Sequence, residues 1–61
     1  NIRRGLWEVR TGIPDGIARV FFCVHDGEMI LLHGFVKKSK RTPQSDLDIA
    51  LKRMKDVKGM H

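Results

Sequence analysis

The chain has 61 residues, twelve Lys or Arg against seven Asp or Glu for a formal net charge of +5, and 41% hydrophobic residues. That length excludes a second domain, and a chain of this size buries only about 60% of its unfolded surface, with a single cysteine that cannot cross-link it. One cysteine and no signal-peptide pattern point to a reducing, cytoplasmic setting, and no apolar run reaches membrane-spanning length.

The first element predicted is a strand over 6–10, where Trp7 and Val9 face one way and Leu6, Glu8 and Arg10 the other. Residues 11–16 hold Gly12, Pro14 and the Asp15-Gly16 pair, a cluster that reads as a turn. A second strand over 17–25 is dense in β-formers. Asp26-Gly27 then signals a type I′ hairpin turn into a third strand over 28–37. With those two residues as the loop, His25 faces Glu28 and Arg19 falls opposite Gly34. This register places Ile17, Arg19, Phe21, Cys23 and His25 on one face with Ile30, Leu32, Gly34, Val36 and Lys38. The other face carries Ala18, Val20, Phe22 and Val24 with Met29, Leu31, His33, Phe35 and Lys37.

Thr42 is the expected N-cap and Pro43 the first residue of a helix over 43–58, with Leu47, Ala50, Leu51, Met54 and Val57 as its apolar stripe. Lys52, Arg53, Lys55 and Lys58 load its later turns, and Gly59 is the expected stop. The fold class is therefore α+β: a three-stranded antiparallel meander followed by a C-terminal helix. Both hairpin faces are apolar and one helix covers only one, so the other face requires cover from outside these residues, a second copy of the chain included.

The positive charge is concentrated at Lys37, Lys38, Lys40 and Arg41, a spacing that attracts a polyanion or forms a solvated linker. Arg19 also carries two readings. Opposite a glycine, its guanidinium has room to grip a phosphate; beside Glu8, it forms a structural ion pair. If the first strand pairs antiparallel with the second, Glu8, Arg10, Arg19, Lys37 or Lys38, and Lys40 converge at one end of the sheet. That set suits metal-free RNA cleavage: Glu8 as base for the 2′-OH, Arg10 and Arg19 on the phosphate, and a lysine relaying the proton to the leaving oxygen. Cys23 and His25 share a face, but no second pair completes a metal site, and Cys23 reads as core. His33 reads as a core histidine on the face away from the basic cluster, and Trp7 as a packing anchor.

Taken together, Leu6-Trp7-Glu8-Val9-Arg10, Arg19-Val20-Phe21-Phe22, Leu31 to Lys38 and Thr42-Pro43 before a helix resemble the HigB-like toxins of the RelE/ParE superfamily, over about Leu6 to Asp56. The resemblance implies a bacterial or phage-derived toxin of a type II toxin–antitoxin module. Such toxins are cytoplasmic, ribosome-dependent endoribonucleases that cut messenger RNA without a cofactor and are neutralised by a cognate antitoxin, here expected to be a helix-turn-helix protein. It marks Glu8, Arg10, Arg19, Lys37 and Lys38 as the RNA-handling residues, expected to be catalytic; Lys40 and Arg41 of the basic run are expected to bind RNA. Relatives usually carry a further N-terminal strand and two helices. The chain opens on Asn1 with Arg3 and Arg4 leading directly into the first strand, which fits the tail of a longer protein. Relatives also use a His or Tyr near the C-terminus; here Tyr is absent and His61 is the last residue. Two alternatives stay open: a catalytically silent module that docks an antitoxin or dimerises through its open face, and a ParE-like inhibitor of DNA gyrase.

Overall fold

In the computed structural model, which describes residues 3–38 and 41–59, three antiparallel strands lie in chain order and one helix crosses a single face of their sheet. Strand β1 spans Trp7–Ile13, β2 Gly16–His25, β3 Glu28–Lys37, and the helix α1 Gln44–Lys58. Lys40 and His61, both singled out by the sequence, lie outside the described residues.

The first strand is longer than its sequence pattern suggested. Thr11, Gly12 and Ile13 continue the ladder, pairing with Ala18, Ile17 and Gly16, so the turn shrinks to Pro14 and Asp15. An edge strand tolerates Gly12 because nothing packs there, and Pro14 supplies the fixed φ of the turn. Gly16 answers a steric demand: a Cβ on it would stand 3.0 Å from the Lys37 carbonyl oxygen on β3. The second turn forms as expected, with Asp26 at φ 53° and Gly27 at φ 77°, both in the positive region a type I′ turn requires.

The hairpin register departs from the simple count at one place. From His25↔Glu28 to Phe22↔Leu31 the pairs follow the loop, but Phe21 then pairs with His33 and Arg19 with Phe35, leaving Leu32 as an extra residue in β3. A bulge of this kind turns two successive side chains toward the same side. Leu32 is buried in the core while His33 reaches the helix at Asp46. Beyond the bulge the parity of β3 is inverted. His33, Phe35 and Lys37 share the face of Arg19 and Phe21, whereas Gly34 and Val36 face outward. The expected pairing of Arg19 with Gly34, and the placement of His33 on the far face, are thereby corrected. The ladder also loses one carbonyl at the bulge, and Arg53 of α1 supplies a partner: its Nη1 donates to the Leu32 oxygen at 2.8 Å.

Helix α1 begins one residue later than the Thr42 cap implied. Pro43 is the N-cap, its extended backbone accepting from the Leu47 N–H at 3.0 Å, with no side-chain cap. A residue that precedes proline is biased to extended conformations, which keeps Thr42 outside the helix. Gly59 closes the other end, donating to the Lys55 carbonyl at 2.9 Å. The apolar stripe behaves as its spacing required: Leu47 and Ala50 are buried, and Leu51, Met54 and Val57 pack against Leu6, Phe21, Cys23 and Leu32. Each large side chain buried this way contributes about 1.5–3 kcal/mol. No described residue covers the opposite sheet face, where Trp7, Val9, Val24, Met29, Leu31 and Val36 are exposed and Trp7 stacks on Phe22 at 6.5 Å. No helix among the described residues is long and apolar enough to cross a membrane.

If Arg53 holds the bulge, Arg53→Ala lowers the unfolding free energy by about 1 kcal/mol or more, the net value of a hydrogen bond. Lys52→Ala, at its exposed neighbour, stays within about 0.5 kcal/mol. Urea denaturation reads both, and equal losses would remove the capping role.

Candidate nucleic-acid interface

Alternation in β1 sends Glu8 and Arg10 to the side of the sheet that α1 covers, and antiparallel pairing sets Glu8 against Phe21 and Arg10 directly against Arg19. Two guanidiniums facing each other across a ladder repel. Glu8 resolves the conflict: one carboxylate oxygen accepts from Arg10 Nε, and the other lies 4.0 Å from Arg19 Nε. The three side chains differ sharply in exposure, with 6% of the Glu8 side chain, none of Arg19 and 46% of Arg10 accessible. Arg19 therefore sits beneath the group, its Cζ 5.9 Å from the centre of the Phe35 ring and its Nη1 donating to the Arg41 carbonyl. Arg10 is the member that faces solvent.

The bulge decides which lysine joins them. Lys37 pairs with Ile17, two residues from Arg19 on the same side of the sheet, where the simple register had placed Lys38. Lys38 follows the end of β3 and is exposed, as is Arg41. The structure thus brings Glu8, Arg10 and Arg19 into contact, sets Lys37 in register on their face, and ties Arg41 to Arg19 through its backbone. Chemically this is a shielded carboxylate with guanidinium donors on either side, next to surface cations, at the sheet end away from the Asp26-Gly27 turn.

A second polar pair lies farther along the same face. His33 Nε2 is 2.7 Å from Asp46 Oδ1, and the His33 ring stacks on Phe35 at 5.5 Å. Asp46 is buried, and its Oδ2 has no hydrogen-bond partner among the described residues. Neither Asp46 nor Arg53 stood out in the sequence. Their signal was present in the helical period, since 46, 50, 53 and 57 fall on one face with the apolar stripe. Among the described residues no three His, Cys, Asp or Glu gather into a metal-holding group; Cys23 is buried in the core and His25 lies 3.5 Å from Asp26 at the hairpin turn.

A family model for phage-derived Gp49-like proteins (DUF891) matches residues 1–55 of the chain. No curated protein and no solved structure gives a significant match.

Because Glu8 is the counter-charge of a buried guanidinium, Glu8→Ala is expected to cost about 3 kcal/mol, the low end for breaking a buried ion pair. Arg10→Ala, at the exposed end of the same carboxylate, costs under about 1 kcal/mol. Thermal or urea unfolding of the two variants measures the asymmetry; equal losses would mean that Arg19 does not depend on Glu8.

Proposed function

The chain belongs to the phage-derived Gp49-like family, a toxin-like family related to the RelE/ParE-type toxins, and we propose that it is the HigB-like toxin of a type II toxin–antitoxin module that cleaves messenger RNA on the ribosome. The observation that carries the reading is the meeting of Glu8, Arg10 and Arg19 on one face, with Lys37 in register beside them. Glu8 takes the proton of a 2′-OH, whose oxygen attacks the adjacent phosphorus. Arg10, Lys37 and Lys38 neutralise the pentacovalent phosphate, and a lysine returns a proton to the departing 5′ oxygen, leaving a 2′,3′-cyclic phosphate. Lys40 and Arg41 hold the flanking backbone by charge, and Arg19 completes the site from below. The reaction needs no metal and no cofactor. Its natural restraint is a cognate antitoxin, a helix-turn-helix protein in this reading.

Expression of the complete reading frame, followed by mapping of message ends on stalled ribosomes, tests the proposal. Glu8→Gln keeps the shape of the carboxylate and is expected to slow cleavage by about 100-fold or more. Growth arrest without message cleavage, equal for wild type and Glu8→Gln, sinks the endoribonuclease; arrest with inhibited gyrase would favour the ParE-like alternative.

The uncovered sheet face favours a second reading, of a binding module that pairs with its own copy. Leu31 and Met29 are 68% and 62% exposed, and the paired strand positions they share a face with, Trp7, Val9 and Val24 among them, carry no charged side chain. Sedimentation equilibrium should then show a dimer that Leu31→Lys dissociates; a well-folded wild-type monomer contradicts it.

A further inference from the structure

Arg19 is the largest of the fully buried side chains and has no accessible surface. A phosphate arriving from solvent does not reach such a group, so any effect of Arg19 on anion binding passes through what it holds. Among its partners are the Glu8 carboxylate, beside Nε, and the carbonyl of Arg41, to which Nη1 donates. Arg41 stands two residues before the Pro43 cap of α1, and its own side chain is exposed. A guanidinium can serve both partners because its donors fan out in a fixed plane, whereas a lysine ammonium offers one point charge.

We infer that Arg19 is a positioning residue: by fixing the backbone at Arg41 it aims the exposed Arg41 guanidinium at the phosphate of a bound RNA, at the same sheet end as Arg10. The identity of the anion rests on the RNA-directed reading above. The positioning rests on the buried contact alone. Arg41 then contacts the phosphate directly, and to phosphate binding Arg19 contributes nothing that Arg41 does not deliver.

Two measurements on the full chain test this. Arg19→Met keeps most of the buried volume and leaves Glu8 paired with Arg10; Arg19→Lys retains charge without the fork. In both variants the backbone order parameter at Arg41 is expected to drop from about 0.85 to below about 0.6, with the circular dichroism spectrum preserved. Unchanged order at Arg41 overturns the inference. The second measurement is binding of a fluorescent single-stranded RNA oligomer across a salt series. Arg41→Ala lowers the slope of log affinity against log salt by about 0.7, one phosphate contact. Arg19→Met does the same in the wild-type background and adds nothing in the Arg41→Ala background. Losses that add in the double variant show direct contact by Arg19 and also overturn it. Failure of the wild-type chain to bind RNA removes the RNA reading and the ligand named here, while the order parameter at Arg41 still decides whether Arg19 positions that segment.

Discussion

Everything beneath the helix depends on the single extra residue in β3. Without Leu32 as a bulge, Gly34 and Val36 would lie under α1 and His33 and Phe35 would face outward. The helix would then rest on a glycine, and Arg19 would lose the ring that covers it. With the bulge, Phe35 packs against Phe21 at 5.4 Å and His33 meets Asp46, so one irregular position creates both an aromatic floor and a polar tether for the helix. The freed carbonyl at the bulge is taken by Arg53, which makes helix docking and strand irregularity parts of one arrangement.

The charged cluster at the far end of the sheet is built on the same frame. Arg10 and Arg19 oppose one another across the ladder, an unfavourable pairing that Glu8 offsets with one carboxylate oxygen toward each. Glu8 is shielded where it meets both arginines, with 6% of its side chain accessible, and the same carboxylate is the base of the proposed reaction. Stability and proposed chemistry thus draw on one geometry, with the buried guanidinium as the element common to both.

Much of this was legible in the chain. The β-formers of β2, the Asp26-Gly27 turn and the period of Leu47, Ala50, Leu51, Met54 and Val57 are strong local signals, and the structure follows them. The grouping of Glu8 with Arg10 came from simple alternation. The bulge was not legible, because Leu31-Leu32-His33 contains neither glycine nor proline and its irregularity is set by what the helix presents to it. A count outward from the turn is correct for four pairs and then fails for every pair beyond Phe22. The same blindness hid Asp46, whose carboxylate looks like an ordinary first-turn helix acid until His33 is seen to face it. The Arg19–Arg41 contact has no sequence signal for another reason: it uses a backbone carbonyl, which every residue carries.

The position of β1 sets where the molecule is weakest. Among the described residues it is an edge strand, paired with β2 alone, and every residue in it but Glu8 is exposed. Free energies of local opening follow buried contacts, so β1, none of whose residues belongs to the hydrophobic core, is the strand that detaches first, while β2, β3 and α1 keep all of that core except Leu6. Detachment would carry Glu8 and Arg10 away together and leave Arg19 behind. The carboxylate and the exposed guanidinium therefore come and go as one unit, and the site can be dismantled by a fluctuation far smaller than unfolding.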